Sequence, residues 1–290
     1  WDEAGTFPRV LYQKAASVGL LGLGFDAEHG GIPDADAFYV MLAAIEMAKA
    51  ASGGVHISLM IHSIGTPPIP HFAQPGILDQ AIPQIIAGEK ISALAITEPS
   101  GGSDVAAIKT KAVREGDYYI LNGEKTFITS GIRADYYTVA VKTDPHAKGA
   151  KGISMLLVDA HSDGISKSPL KKMGWWASDT AHLHFDNVKV PVSHLLGEEN
   201  AGFKVIMNNF NMERFWLAAM AYGYALVCYE EALDWAKQRQ TFGKRLIDHQ
   251  VLRHKLVDMA TQLTTTRALL EDTAYRMGQK ELQGADLIAQ

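Results

Sequence analysis

The spacing of apolar residues changes character twice along this chain, and those two changes limit the folds open to it. From residue 7 to about 88 the sequence is rich in Ala, Leu, Ile and Met at helical spacing, broken by Gly30-Gly31 and by Pro67-Pro68-Ile69-Pro70. From 91 to about 192 it becomes a series of short β-branched and aromatic runs, at 118–121, 136–141, 153–158 and 181–185. Glu115-Gly116-Asp117 and Asn122-Gly123-Glu124 punctuate that series, and Asn-Gly is a strong hairpin marker because both residues tolerate positive φ. After Gly197 helical spacing returns. Leu252, Leu256, Met259, Leu263 and Leu270 recur at four- and three-residue steps, as a bundle helix requires. A helix over about 212–238 precedes them, separated by the Thr241-Phe242-Gly243 region. The pattern predicts an α+β multidomain chain: an N-terminal helical domain (1–90), a middle β-sandwich or barrel domain (91–192) and a C-terminal helical bundle (193–290).

Bulk properties exclude some partners. With 47% hydrophobic and 20% charged residues in 290, the composition is that of an ordinary globular protein. A formal charge of −5 and a pI near 6.1 give no support for a nucleic-acid partner. No apolar run reaches the length of a membrane span, and Trp1-Asp2-Glu3-Ala4 lacks the basic start of a signal peptide. Cys228 is the sole cysteine, so no internal disulfide forms and a reducing compartment fits, the bacterial cytoplasm or the mitochondrial matrix. Its apolar helical setting predicts a packed thiol.

Chemistry concentrates between Leu94 and Thr129. An apolar strand over 91–96 opens into Thr97-Glu98-Pro99-Ser100-Gly101-Gly102-Ser103-Asp104. Loops of this composition let backbone N–H groups and hydroxyls approach an anionic or polar ligand, although the same residues also build plain turns. Lys125-Thr126-Phe127-Ile128-Thr129 then closes a second strand with an aromatic and a threonine able to flank a flat ring. Elsewhere the signals are weak. Gly19 to Gly24 reads G-x-x-G-x-G after a helical segment, the wrong order and context for a dinucleotide-binding turn. His56, His62 and His71 lie six and nine apart, which does not set them on one helical face, so packing or pocket lining is expected and no metal. Trp175-Trp176 is expected in core and interface.

These motifs, taken in order, resemble the acyl-CoA dehydrogenases, FAD enzymes that desaturate acyl-CoA thioesters between Cα and Cβ. Gly19–Gly24 with Gly30-Gly31, the loop from Ala95 to Asp104, Phe127-Ile128-Thr129, Gly174 to Thr180, Phe185 to Pro191, Gly202-Phe203-Lys204 and Arg239 to Lys244 match that family at consistent spacing. Relative to it, the chain reads as clipped at both ends. The resemblance implies that Leu94, Ile96, Thr97, Ser103, Phe127, Ile128 and Thr129 line an FAD pocket, with Phe127 against the flavin ring. It further implies that Arg239, Thr241 and Gln250 reach the FAD of a neighbouring subunit in a homotetramer. Ser103, Asn211, Met212 and Arg214 would flank the acyl-CoA, and an electron-transfer flavoprotein would take the electrons.

The reaction needs a base for a weakly acidic α-proton, and a carboxylate in a dry pocket suits that task. Glu213 is the candidate, in Asn211-Met212-Glu213-Arg214-Phe215-Trp216. On the residues alone, a solvated first-turn glutamate complementing the helix dipole is the favoured reading. The resemblance favours the base: one subset, including enzymes of isovaleryl-CoA and some of long-chain acyl-CoA, carries it at this position, whereas most members carry it on a later helix. An acyl-CoA oxidase or flavin monooxygenase on the same scaffold, or a silent acyl-CoA- or protein-binding relative, are the competing readings.

Overall fold

The computed structural model describes residues 1–279. Contacts divide it into two compact units, residues 1–34 with 52–210, and residues 35–51 with 211 onward. Helices α1 (Val10–Ser17), α2 (Ala37–Ala48), α3 (Gly53–Met60), α4 (His62–Gly65), α5 (Pro68–Phe72) and α6 (Pro75–Ile86) precede the strands. The strands are β1 (Ser92–Ala95), β2 (Lys111–Glu115), β3 (Tyr118–Thr129), β4 (Tyr136–Lys142), β5 (Ile153–Asp159), β6 (Ile165–Pro169), β7 (Thr180–Pro191) and β8 (Leu195–Leu196). Two long helices follow, α7 (Gly202–Gln238) and α8 (Gln250–Gly278). The helical, β-rich, helical succession read from the sequence is therefore present.

Local chemistry sets the helix starts. Asp36 caps α2, accepting from the backbone N–H of Phe38 (2.9 Å) and Tyr39 (3.2 Å), which satisfies two of the amides a helix start leaves without partners. Ser52 caps α3 through the N–H of Val55.

The strands form one connected sheet in the order β6-β7-β3-β2-β4-β5-β8, with β1 added parallel to β4. Apart from β1–β4 and a single β2–β4 pairing, neighbours are antiparallel. The hairpin between β2 and β3 turns at Gly116-Asp117, as read. Asn122-Gly123 does not turn: β3 continues through it, with a shift in its pairing register against β7 between Leu121 and Gly123. Gly123 stands there because a Cβ would come within 2.7 Å of the Thr110 backbone, and its φ is +143°. Close approach of two strands, not chain reversal, demands the glycine.

In the first unit, α5, α6 and the start of α7 bury Ile69, Ile82, Ile85, Val205 and Ile206 against Ala140, Ile153, Met155 and Leu157 of the sheet. This core fixes the strands that carry the candidate site. In the second unit α7 crosses α2 at Gly223, where a Cβ would meet Ala48 at 2.8 Å. The helix expected from about residue 212 starts ten residues earlier, at Gly202, because 202–211 contains no breaker.

Two expectations fail on exposure. Cys228 is exposed rather than packed; six residues after the buried Tyr222, it is turned well off that face of α7. Trp175 and Trp176 are 45% and 51% exposed, so they are not core. The Trp176 ring N–H instead donates to the Lys172 carbonyl (3.1 Å) at the surface.

Candidate functional site

The glycine–serine loop is held from within by an ion pair. Glu98 and Gly101 exchange backbone hydrogen bonds (3.1 and 3.0 Å) around Pro99-Ser100, a tight turn with proline at its favoured second position. The Glu98 side chain turns inward, accepting from the backbone N–H of Lys109 (2.6 Å) and Thr110 (2.9 Å) and from Lys125 Nζ (2.8 Å). Lys125 is fully buried on β3 and also donates to the Ile96 carbonyl at 2.8 Å. Burial works to raise the Glu98 carboxyl, yet the Lys125 charge and these hydrogen bonds outweigh it and hold the group below its usual range. Burial lowers Lys125 to about 8 against the opposing pull of Glu98. Both groups are charged near neutrality. The loop's backbone is thus fixed while Ser100, Gly101, Gly102 and Ser103 stay exposed.

Next to this loop, β3 carries a bulge. Lys125 to Ile128 on β3 faces only Leu183 to Ala181 on β7, so one extra residue is accommodated there. Phe127 occupies it with φ +59°, a left-handed conformation uncommon for an aromatic, and is 70% exposed. The bulge aims this side chain outward where a regular strand would not. Strain of this kind gathers at ligand sites, at a cost of about 1 kcal/mol or more. Thr126 N–H donates to the Thr97 carbonyl (2.9 Å), tying the bulge to the loop.

The residues read as a cofactor pocket therefore sort by side-chain direction. Ser103 and Phe127 are exposed, and Leu94, Thr97 and Thr129 are half-buried. Ile96 and Ile128 are buried in the core, which leaves them only backbone groups to offer a ligand. An exposed aromatic face, hydroxyls and a glycine turn with free surface are the donor set a flat ring bearing phosphates requires.

Glu213, in the second unit, is a different kind of acid. It sits within α7, far from that helix's first turn, so a dipole role at a helix start is removed. Its Oε2 atom is shut off from solvent and has no hydrogen-bond partner. Burial raises its carboxyl above the ordinary range, and the neighbouring Arg214 charge offsets this in part. Phe215 and Trp216, next on the helix, are buried. Asn211 is half-buried, and Met212 and Arg214 are exposed.

Arg239 and Thr241 lie at the start of a short hairpin that follows α7, and Gln250 is the first residue of α8. Gln240–Thr241 pairs with Lys244–Arg245, and Phe242 at its tip is 96% exposed with φ +50°. Thr241 Oγ1 lies 3.3 Å from His249 Nε2, and the Arg239 carbonyl accepts from Leu246 N–H (2.8 Å). Arg239 and Gln250 are exposed. Sequence reasoning assigned no role to Glu98 or Lys125, although both lie inside the motifs it singled out.

A helical–β–helical chain whose β-rich part presents a fixed glycine loop beside an outward aromatic, and whose last helical part holds a carboxylate with one enclosed oxygen, defines a class of multidomain fold with a candidate ligand site. Comparison with known proteins makes the class specific. Residues 1–89, 93–188 and 200–289 match, in turn, the N-terminal, middle and C-terminal domains of acyl-CoA dehydrogenase. The chain is 38% identical over 288 residues to the mitochondrial long-chain specific acyl-CoA dehydrogenase of Rattus norvegicus, covering 98% of this chain and 66% of the relative. Among solved structures, an acyl-CoA dehydrogenase of Mycobacterium abscessus, described as probable, superposes with a TM-score of 0.92 at 42% identity, covering 96% of this chain and 73% of that one. A chain of the electron transferring flavoprotein structure from Acidaminococcus fermentans superposes with a TM-score of 0.90 at 34% identity, over 96% and 73%. The chain belongs to the acyl-CoA dehydrogenase family. It spans about two thirds of the length of the curated relatives it matches.

Proposed function

We infer that the protein carrying this chain desaturates an acyl-CoA thioester to the trans-2-enoyl-CoA with FAD as cofactor. The observation that carries this reading is the Glu213 carboxylate, enclosed and unpartnered at Oε2. A carboxylate that gives up hydration without gaining a hydrogen bond is a stronger base, matched to a weakly acidic carbon. Glu213 takes the α-proton onto that carboxylate. Arg214, Asn211 and Met212, its neighbours on α7, flank the thioester.

Ser103, Thr97 and the glycine turn hold the cofactor's phosphates and polar edge, and Phe127 and Thr129 flank its ring, with Leu94, Ile96 and Ile128 behind. When bound, FAD supplies the two-electron acceptor for the β-hydride. Arg239 and Thr241, with Gln250 on α8, offer cationic and polar groups to the cofactor of a neighbouring copy in a homotetramer, the arginine fork suiting pyrophosphate. The likeness to a long-chain specific relative supports a longer acyl chain, and the likeness to a chain from an electron transferring flavoprotein structure supports such a protein as acceptor.

The test is anaerobic addition of acyl-CoA to the flavin-loaded full-length protein. The flavin absorbance bleaches in the wild type, and Glu213→Gln slows bleaching at least roughly a thousandfold, within the range general bases contribute. Equal bleaching rates would remove Glu213 from the reaction. A protein that stays colourless when FAD is supplied would overturn the whole reading.

A further inference from the structure

A wholly enclosed lysine needs a reason, because its ammonium gives up water on entering the interior. Lys125 is 0% exposed, and the bonds around it supply one. Three consecutive residues of β3 reach two other stretches of chain. The Glu124 carbonyl accepts from Thr110 Oγ1 (3.0 Å), Lys125 Nζ donates to the Ile96 carbonyl (2.8 Å), and Thr126 N–H donates to the Thr97 carbonyl (2.9 Å). Glu98 closes the circuit: its Oε1 accepts from Thr110 N–H at 2.9 Å and from Lys125 Nζ at 2.8 Å. Segments 96–98, 109–110 and 124–126 are thereby each bonded to the other two.

The two halves of the candidate cofactor site leave from this knot in different directions. Phe127 follows Thr126 directly. On the other side, Glu98 opens the turn that ends at Gly101, and Gly102 folds back on Thr97, where a Cβ would come within 3.0 Å of Thr97 Cγ2. Ser103 is the next residue.

We propose that Lys125 is a positioning residue for the cofactor: with Glu98 it joins the glycine turn and the Phe127 bulge into one preorganised unit, so that flavin meets its ring-side and phosphate-side groups at a fixed spacing. The inference rests on the reading of this site as a flavin pocket. Enclosed as it is, Lys125 acts through Ile96 and Glu98. The backbone amides of Lys109 and Thr110 also hold the Glu98 carboxylate, but they tie the turn to the segment before β2 and not to β3. The Thr126–Thr97 bond does join the two halves, and a single bond leaves a hinge. The lysine's two bonds on the preceding residue remove that hinge. A ligand that must order a loose turn on arrival binds less well: fixing the backbone of one residue is worth about a tenfold change in dissociation constant.

FAD is titrated by fluorescence into the flavin-stripped full-length protein, and amide hydrogen exchange is followed in the same apoprotein. Lys125→Met weakens FAD about tenfold or more. The amides of Gly101, in the turn, and Thr126, at the bulge, lose protection together. Phe127→Gly and Ser103→Ala each weaken FAD in the wild-type background, and each effect shrinks at least about threefold in the Lys125→Met background, because groups in one coupled unit are not additive. Val190→Ala is the control for a general loss of stability. Val190 is buried on β7 and pairs with Tyr119, whereas Lys125 pairs with Leu183, about 23 Å away along that strand at about 3.3 Å per residue. It lowers stability and leaves FAD affinity unchanged. Should Lys125→Met fail to fold, Lys125→Met/Glu98→Gln, which leaves no uncompensated charge, carries the same measurements with the same expected direction. If Phe127→Gly and Ser103→Ala weaken FAD while the lysine variants do not, the pocket stands and Lys125 has no positioning role. If none of these variants alters FAD binding, the pocket itself is misread and the proposal falls with it. Loss of protection at only one of Gly101 and Thr126 would also overturn the single unit.

Discussion

Two glutamates in this molecule have lost most of their water, and they show opposite chemistry. Glu98 accepts from two backbone amides and a buried lysine, and its carboxyl is held below the ordinary range. Glu213 has an enclosed oxygen with no partner, and burial holds its carboxyl above that range. Burial alone thus predicts neither the sign of a pKa shift nor a role. What decides is whether the protein replaces the lost hydration. Where it does, the acid is fixed and inert and shapes a loop. Where it does not, the acid is left reactive.

The largest effect that would break this comparison is kinetic. Glu213→Gln keeps shape and removes the proposed base, so flavin reduction by substrate should fall at least roughly a thousandfold, about 4 kcal/mol of transition-state stabilisation. Stability should hold or rise slightly, since an unpaired buried carboxylate is replaced by a neutral amide. Stopped-flow reduction and urea unfolding measure the two sides. A slow variant that is also severely destabilised would make Glu213 a structural acid like Glu98.

Next in size is the ion pair. Lys125→Met leaves the Glu98 charge buried without its cation and should cost about 3–5 kcal/mol of unfolding free energy. Adding Glu98→Gln to that variant should recover part of the loss, because the uncompensated charge is gone. A double-mutant cycle in urea reads the coupling. A neutral single variant would mean that the two amides from Lys109 and Thr110 suffice on their own.

How far the sequence disclosed this pair is instructive. Lys125 shares strand parity with Tyr119 and Leu121 on β3, both fully buried, so its inward direction was legible in the alternation. Glu98 carried no such mark inside a loop, and only the close approach of Lys109 and Thr110 fixes it. The three-part architecture was readable because helical and strand spacing differ over long stretches. Asn122-Gly123 misled because a glycine needed for close approach looks the same in sequence as one needed for a turn. The bulge at Phe127 has no signal beyond an aromatic in a strand, since register depends on the partner strand's count. Trp175, Trp176 and Cys228 were misplaced for a related reason: their apolar neighbours suggest burial, whereas exposure is set by the tertiary neighbours of each face.

The two acids also differ in how stability follows pH. A carboxyl raised in the folded state adds stability that is full below the unfolded pKa, near 4.5, and fades as pH rises through the folded value; Glu213 is this case. A depressed carboxyl adds stability present above the unfolded pKa and lost as pH falls through the folded value; Glu98 is that case. Subtracting the Glu213→Gln profile from wild type should leave a stability difference that falls with rising pH just above 4.5. The Glu98→Gln subtraction should leave one that rises with pH below it. The same raised Glu213 should place the acid limb of the reduction rate above the usual carboxylate range. Two curves of the same sign would erase the distinction between the acids.

Smallest in stability is the change at Phe127, where site and scaffold separate. The residue is exposed and held at φ +59°, so the apoprotein gains little from its side chain and carries its backbone strain. Phe127→Gly should alter apoprotein unfolding by less than about 1 kcal/mol, because relief of a left-handed aromatic offsets the entropy a glycine adds to the unfolded chain. Flavin retention should drop, since the ring loses its aromatic face, and dialysis followed by absorbance measures it. If flavin stays while the apoprotein unfolds readily, the aromatic is scaffold and the bulge serves packing. The reverse outcome ties a strained backbone to ligand binding, as the proposal ties the fixed Glu98 turn and the enclosed Glu213 oxygen each to one part of the reaction.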